Sequence, residues 1–220
     1  MALTREDLEN DLLRRQYEGM GDAVPLLSGP AFDASLEAIL AERNPRRDLW
    51  VFAYGSLIWN PLIRFSEQRR ARLHGFHRRF CLRSRGARGT AEHPGLVLGL
   101  DFGGSCNGIV YRIDAAIAHH ELKLIWRREM VLGSYAPRWV SVAGGGRRRQ
   151  ALAFVVNNAH PHYAGRLPDA ELTRILATAH GRLGSCADYL MQTVASLEGH
   201  GVYDAHLARL QRQVLAARKA

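Results

Sequence analysis

The chain is poor in cysteine and has no long apolar run. Its three cysteines lie at unrelated spacings, and no Cys-x-x-Cys pair occurs among its 220 residues. This argues against a disulfide framework and favours a reducing compartment, so we expect a cytoplasmic protein. No run of 18 or more apolar residues occurs, which argues against a membrane-spanning helix. The first residues include acids and have no apolar core, unlike a signal peptide.

Several common site motifs are also missing. The sequence contains no Gly-x-Gly-x-x-Gly, no P-loop and no Gly-x-Ser-x-Gly. The pair His160 and His162 has no cysteine or acidic residue beside it, so we interpret it as loop histidines and predict no metal site. Cys106 follows two glycines and a serine, but no base is visibly paired with it, so a buried thiol is the simpler interpretation.

Positive charge is abundant and comes almost entirely from arginine. The net charge is +9, and Lys123 and Lys219 are the only lysines. A basic protein attracts anions, and the planar guanidinium suits bidentate binding of carboxylates. Because the arginines are scattered along the chain, we favour an acidic metabolite over nucleic acid as the partner.

The first 48 residues read as a helical extension. A possible capping box at Thr4–Asp7 opens an amphipathic helix, and a second short helix is predicted over Ser35–Arg43, ended by Asn44-Pro45. The character changes at Leu49. We therefore divide the chain into an extension, residues 1–48, and one globular domain, residues 49–220.

The second part alternates strands with helices. A helix is predicted from Asp114 to about Arg128, Ser185 and Asp204 are expected to cap helices in the C-terminal third, and Gly144–Arg149 resembles a hairpin loop. Six strands are predicted: Leu49–Tyr54, Leu73–Leu82, Leu96–Phe102, Gly108–Ile113, Arg138–Val142 and Ala151–Asn157. The expected fold class is α+β, a small and mostly antiparallel β-barrel or half-barrel with flanking helices.

Two short segments carry candidate chemistry. In the stretch VFAYGSLIWNP, from Val51 to Pro61, a Gly-Ser pair interrupts an apolar strand. Glycine there permits a close approach, and successive N–H groups can form an anion-binding nest, although a strand bulge would also explain it. Glu129, in IWRREM, reads from spacing alone as a surface acid paired with Arg127 or Arg128.

A third segment, RRFCLRSRGARGT, holds five arginines between Arg78 and Arg88. It reads as a solvated strand face with a flexible loop, as a carboxylate clamp or as an RNA contact.

Together these segments resemble the ChaC-like γ-glutamylcyclotransferases, from about Leu49 to Leu210. The resemblance rests on WVFAYGSLIWNP, on FHRRFCLRSRGARGT followed by PGLVLGL, on GSCNGIVYRI, on IWRREMVLGSY and on the C-terminal HPHYAG and GSCADYLMQTVASLEGHGVYDAHL. It implies a cyclotransferase-type barrel and a lyase that uses no cofactor. In such an enzyme the γ-glutamyl group of glutathione cyclises to 5-oxoproline and Cys-Gly leaves.

The resemblance also assigns candidate site residues. It makes Glu129 the general acid/base, and it implies no metal. The substrate-binding residues that it implies are Phe52, Ala53, Tyr54, Gly55, Ser56, Leu57, Arg79 and Tyr163. Ala53 stands where many relatives have glycine. RSRGARGT departs from a pattern that often carries Asp-His before Arg-Gly-Thr, which leaves details of the substrate contact open.

Physical chemistry fits the implied reaction. The attacking amine must lose a proton, which a carboxylate of raised pKa can accept, and the Gly55–Leu57 amides can hold the substrate carboxylate. Glutathione also has a glycyl carboxylate, which we expect Arg79, Arg85 or Arg88 to bind. Two alternatives stay open: another γ-glutamyl amino acid or amine as substrate, or a basic protein without activity that binds RNA or a protein partner.

Overall fold

The computed structural model describes residues 3–20 and 26–219, and its centre is a closed five-stranded barrel. The strand order is β1-β3-β2-β4-β5. Neighbouring strands are antiparallel except β1 and β5, which close the barrel in parallel at Val51 and Leu152. The strands are β1 (Leu49–Ala53), β2 (Glu67–Ser84), β3 (Gly95–Ile113), β4 (Tyr135–Gly144) and β5 (Arg147–Val156). The predicted α+β barrel is confirmed.

In sequence, helices precede the barrel strands, lie between them and follow them. They are α1 (Arg5–Glu9), α2 (Leu12–Glu18), α3 (Gly29–Ala41), α4 (Ser56–Trp59), α5 (Ala118–Glu129), α6 (Asp169–Thr178), α7 (Cys186–Gly199) and α8 (Ala205–Ala217). A two-stranded hairpin, β6 (His180–Gly181) with β7 (Gly184–Ser185), precedes α7. In the part of the chain that the structure describes, no helix is long and apolar enough to cross a membrane.

The barrel has five strands where six were predicted. Leu96–Phe102 and Gly108–Ile113 are two parts of one strand, β3, which pairs with β2 along nearly its whole length. The prediction was wrong because Gly103 and Gly104 look like a turn. Both have positive φ, but they lie opposite an irregularity in β2 around Gly75, and pairing resumes beyond it. The glycines therefore bend a long strand without ending it.

Most predicted caps are confirmed, and some helix bounds differ. Thr4 and Asp7 form the capping box, and Ser185 and Asp204 cap α7 and α8. The first helix, however, stops at Glu9. Asp11 then adopts left-handed backbone geometry with φ of 53°, and α2 starts in a new direction. Asp114 does not cap α5, because the helix begins only at Ala118 with Ile117 at the cap position; the Asp114 carboxylate instead accepts a hydrogen bond from the Ser66 hydroxyl, 2.6 Å away.

Helix α5 packs its apolar side into the main core. The fully buried Trp126 ring meets Phe154 of β5 edge to face, with centroids 5.2 Å apart, and its indole N–H donates to Ser35 of α3. These contacts fix the helix against the barrel. Its last residue, Glu129, therefore lies near the C-terminal ends of β1 and β5.

A buried arginine on β2 links three other segments. Arg78, 6% exposed, donates to the backbone carbonyls of Tyr54 and Asn107 and pairs with the Asp204 carboxylate at 2.5 Å. Asp204 in turn caps α8 by accepting from the Leu207 N–H. The end of β1, strand β3 and the start of α8 thus share one guanidinium.

We expect Arg78→Ala to be strongly destabilising. The change removes the donor from two carbonyls in the interior and the ion-pair partner from the partly buried Asp204 carboxylate, and losing one partner of a buried ion pair costs about 3–5 kcal/mol. Denaturant unfolding should show this loss. Arg72→Ala on the exposed face of the same strand should change the free energy of unfolding by about 0.5 kcal/mol or less. Equal effects of the two substitutions would mean that the Arg78 contacts add little net stability.

Candidate active site

The chain turns immediately after β1, and one glycine makes the turn possible. The Tyr54 hydroxyl donates to the Phe154 carbonyl at 2.8 Å, which ties the turn to β5. Gly55 precedes α4, and a Cβ at this position would lie 3.0 Å from the Tyr189 hydroxyl and 3.6 Å from Leu98. The missing side chain lets α7, through Tyr189, approach the backbone of the turn.

An ion pair brings Glu129 to this turn. The Glu129 carboxylate, whose side chain is 12% exposed, pairs with Arg128 Nε at 3.0 Å. The same guanidinium donates to the Ser56 hydroxyl at 2.7 Å and to the Asn60 carbonyl. The end of α5 and both ends of α4 are therefore joined through Arg128, and the carboxylate lies beside the turn.

Burial controls the protonation of the site. Loss of water raises the pKa of Glu129 above its ordinary 4.5, and the adjacent Arg128 offsets only part of that rise. Burial also raises the pKa values of Tyr54, Tyr135 and Tyr189, so these three hydroxyls stay protonated at neutral pH. A carboxylate whose pKa lies closer to neutrality can accept a proton and return it, which suits general acid–base catalysis.

Two cavities adjoin at Glu129. The inner cavity measures about 20 Å³ and the outer cavity about 410 Å³. Both cavities are lined by Ser56, Glu129, Tyr135 and Tyr189. The inner cavity is also lined by Tyr54, Gly55, Leu57, Leu98 and Phe154. The outer cavity has the size that small-molecule sites commonly have. It reaches the Glu129 carboxylate, which lines both cavities.

The structure brings together most of the site residues predicted from sequence. Tyr54, Gly55, Ser56, Leu57 and Glu129 surround the inner cavity. Phe52 and Ala53 are fully buried in β1, directly before them.

Arg79 and Tyr163 lie elsewhere. Arg79 pairs with Asp101 at 2.9 Å, and the Tyr163 hydroxyl donates to the same carboxylate at 3.0 Å. Neither residue lines the cavities beside Glu129. Their shared partner Asp101 joins β2, β3 and the segment after β5, and neither residue contributes to the outer or the inner cavity.

Arg88 of the basic segment lines the outer cavity without a carboxylate partner among the described residues. Arg88 is 8% exposed, and its guanidinium lies 5.3 Å from the Tyr189 ring centre and 5.8 Å from that of Trp59. In the described residues no carboxylate lies within 4.0 Å of it, and burial lowers its pKa. Arg83 lines the same cavity, whereas Arg85 does not. The cavity therefore offers positive charge to an anion.

Three site residues were missed by the sequence analysis. Arg128 was considered only as a surface partner of Glu129, yet it joins the acid to Ser56. Tyr135 follows Glu129 closely in sequence, and its hydroxyl donates to the Leu98 carbonyl at 2.9 Å. Tyr189 is spaced like a core residue of α7. Its position beside Gly55 could be found only from the packing of α7 on the barrel.

The sequence is similar to known proteins. Residues 49–217 match the model of the ChaC-like protein family. The chain is 36% identical over 203 residues to the glutathione-specific γ-glutamylcyclotransferase of Escherichia coli, covering 92% of this chain and 87% of that protein. It is 31% identical over 178 residues to human glutathione-specific γ-glutamylcyclotransferase 1, covering 76% of this chain and 80% of the human protein.

A solved structure has a similar fold. The crystal structure of a yeast γ-glutamyl cyclotransferase specific to glutathione superposes with a TM-score of 0.71 at 22% identity. The match covers 78% of this chain and 97% of the yeast chain. At that identity the likeness establishes the fold alone.

We expect the buried Glu129 side chain to lower the free energy of unfolding as pH rises. Below its ordinary pKa of 4.5 the carboxyl is protonated in both folded and unfolded chains and makes no difference. Above the raised pKa of the folded state, the fold carries the full cost of a buried charge. The melting temperature of Glu129→Gln should therefore match wild type below pH 4.5, exceed it by a growing margin as pH rises through the folded-state pKa, and keep a constant margin above that pKa.

Thermal melts of both proteins across this range test the expectation. The exposed Glu198→Gln variant serves as the control and should follow the wild-type curve. A variant that instead becomes less stable than wild type as pH rises would show that the attraction of Arg128 outweighs the cost of burial.

Proposed function

Because this chain belongs to the ChaC-like protein family, we propose that it is a glutathione-specific γ-glutamylcyclotransferase, a lyase. In this reaction the α-amino nitrogen of the γ-glutamyl unit bonds to the γ-carbonyl carbon, and the bond from that carbon to the cysteinyl nitrogen breaks. The products are 5-oxoproline and Cys-Gly. The names of the bacterial and human relatives support the choice of glutathione.

The observation that carries this proposal is the buried carboxylate of Glu129 at the junction of the two cavities. The substrate amine is an ammonium at neutral pH and cannot attack until it loses a proton. Glu129 accepts that proton and passes it to the departing cysteinyl nitrogen. The attacking nitrogen gives up a second proton by the same route after the new bond forms, so 5-oxoproline keeps one N–H and Cys-Gly leaves as an ammonium. The raised pKa of Glu129 brings the carboxyl closer to the working pH, where one group can perform both transfers.

The turn after β1 positions the glutamyl unit. Gly55, Ser56 and Leu57 stand at the start of α4, where the first backbone N–H groups have no partner within the helix. They are suited to hold the α-carboxylate, and the Arg128 guanidinium on the Ser56 hydroxyl adds positive charge nearby. Fixing the carboxylate folds the amine toward the γ-carbonyl and lowers the entropic cost of ring closure.

The volumes of the two cavities determine which part of the substrate each one can hold. The inner cavity, about 20 Å³, has room for a water-sized group, so only one end of the glutamyl unit enters it. The outer cavity, about 410 Å³, receives the rest of the molecule. Arg88 in its wall is then placed to bind the glycyl carboxylate by charge-assisted hydrogen bonds.

The proposed compartment is the cytoplasm, where glutathione keeps thiols reduced. Cys81, Cys106 and Cys186 are free and buried, which supports this choice. Burial also raises the pKa of Cys106, which makes it a poor nucleophile. An assay of 5-oxoproline release from glutathione and from γ-Glu-Ala tests both the activity and the choice of substrate.

Glu129→Gln keeps the size of the side chain but cannot accept the proton. We expect 5-oxoproline release from glutathione to fall by about 100-fold or more, the scale of general acid–base catalysis. The exposed Glu198→Gln variant, which makes the same chemical change, should keep wild-type turnover. Near-normal turnover in Glu129→Gln would assign the proton transfer to another group.

Arg88→Ala tests the contact with the glycyl carboxylate. A charge-assisted hydrogen bond contributes about 1.5–3 kcal/mol, so KM for glutathione should rise by about 10- to 100-fold. KM for glutathione ethyl ester, which lacks that charge, should change much less. Arg85→Ala is the control from the same segment, because Arg85 does not line the cavity.

The pattern of losses decides the outcome. Equal losses on glutathione and its ester would mean that Arg88 does not bind this carboxylate. A selective loss in Arg83→Ala, with Arg88→Ala unaffected, would assign the contact to Arg83, the other arginine of the basic segment that lines the cavity.

A further inference from the structure

The N-terminal helix pair, α1 and α2 (residues 5–18), lies outside the family match but is firmly attached to α5. Arg5 pairs with Glu121 through two hydrogen bonds of 2.8 Å, and the Glu121 side chain is 1% exposed. From the same helix, Arg127 donates to the carbonyls of Leu8 and Glu9. A buried carboxylate needs such a partner, so the pair has a defined position on the fold.

Apolar contacts hold the same position. Leu8 and Leu13 are buried against Leu124 of α5. Before α1, the Leu3 carbonyl accepts a hydrogen bond of 3.0 Å from the Asn60 side chain at the end of α4. The helix pair is thus connected to both elements that carry Glu129 and the turn after β1.

This placement makes the helix pair a wall of the outer cavity. Leu3, Leu13 and Tyr17 line it together with Glu129 and Arg88. The Tyr17 ring also rests on the loop that carries Arg88. A Cβ at Gly86 would lie only 2.9 Å from that ring, so glycine is required for the contact.

The Tyr17 hydroxyl has no hydrogen-bond partner in the part of the chain that the structure describes. A fully buried tyrosine hydroxyl usually finds one, whereas the hydroxyl of the half-buried Tyr17 is open to the cavity that it lines. Burial raises the pKa of Tyr17, the charge of Glu129 raises it further and Arg182 lowers it, so the hydroxyl remains a donor at neutral pH. A donor with no partner inside the protein, on a cavity wall, is available to whatever fills the cavity.

We propose that Tyr17 is a specificity-determining residue that contacts the peptide part of the substrate beyond the γ-glutamyl unit, with its ring packing on that part and its hydroxyl donating to it. The inference rests on the proposed cyclotransferase activity. It gives the N-terminal helix pair a role in selecting a γ-glutamyl dipeptide, while the proton transfer at Glu129 belongs to the barrel.

Inhibition by each product measures binding at one end of the site. Cys-Gly is the product that occupies the outer cavity, and 5-oxoproline is the product formed beside Glu129. In Tyr17→Ala, the Ki of Cys-Gly should rise about tenfold or more, while the Ki of 5-oxoproline stays within about twofold of wild type. Tyr17→Phe, which removes only the hydroxyl, should raise KM for glutathione about three- to tenfold and leave kcat unchanged.

Arg15→Ala is the matched control, because Arg15 is exposed on the same helix and lies outside the cavity wall. Equal rises in both Ki values would overturn the proposal, and so would unchanged values or a wild-type protein that Cys-Gly does not inhibit. The melting temperatures of all variants show whether a change in Ki or KM comes from a destabilised fold. If Tyr17→Ala is destabilised, Tyr17→Phe still tests the hydroxyl, because it keeps the packing of the ring. A wild-type protein that releases no 5-oxoproline from glutathione would refute the proposed function separately.

Discussion

The pairing of Arg128 with the buried Glu129 is the interaction on which the site depends. A carboxylate removed from water is costly, and a single guanidinium reduces that cost without abolishing it. Because the same guanidinium also holds the Ser56 hydroxyl and the Asn60 carbonyl, the end of α5 cannot shift without moving α4. The acid and the turn that faces it are therefore positioned as one unit, and the incomplete compensation keeps the carboxyl ready to exchange a proton.

The barrel supplies the rigid frame for this unit. Trp126 fixes α5 against β5 and α3, and Arg78 holds the Tyr54 carbonyl from the other side of the turn. The turn after β1 is thus held by two buried arginines on different elements. Arg78 binds the residue before Gly55, and Arg128 binds the residue after it. Such support from side chains that do not touch the reacting atoms is how a loop keeps the precision that chemistry needs.

The two cavities differ in which parts of the chain build them. The inner cavity is lined only by residues within the family match, 49–217, whereas the outer cavity has one wall from the N-terminal helix pair. The contact of Tyr17 with Gly86 joins that wall to the loop of Arg88. The helix pair therefore reaches the outer cavity, where Tyr17 is proposed to contact the peptide part of the substrate, and does not line the inner one.

The sequence alone determined the features that depend on near neighbours. The caps at Thr4, Ser185 and Asp204 were predictable because cap and partner lie three residues apart. The hairpin within Gly144–Arg149 was predictable because its residues are adjacent, although its turn is only Gly145 and Gly146 and the arginines belong to β5. Resemblance of the segment around Glu129 to a known family predicted its place in the site, where spacing alone indicated a surface acid. The tertiary structure decided the rest: Arg128 meets Ser56 across 72 residues, Arg79 and Tyr163 turn to Asp101, and Tyr17 reaches the cavity of Arg88. These contacts join elements whose relative positions follow from barrel closure and core packing, which no local pattern encodes.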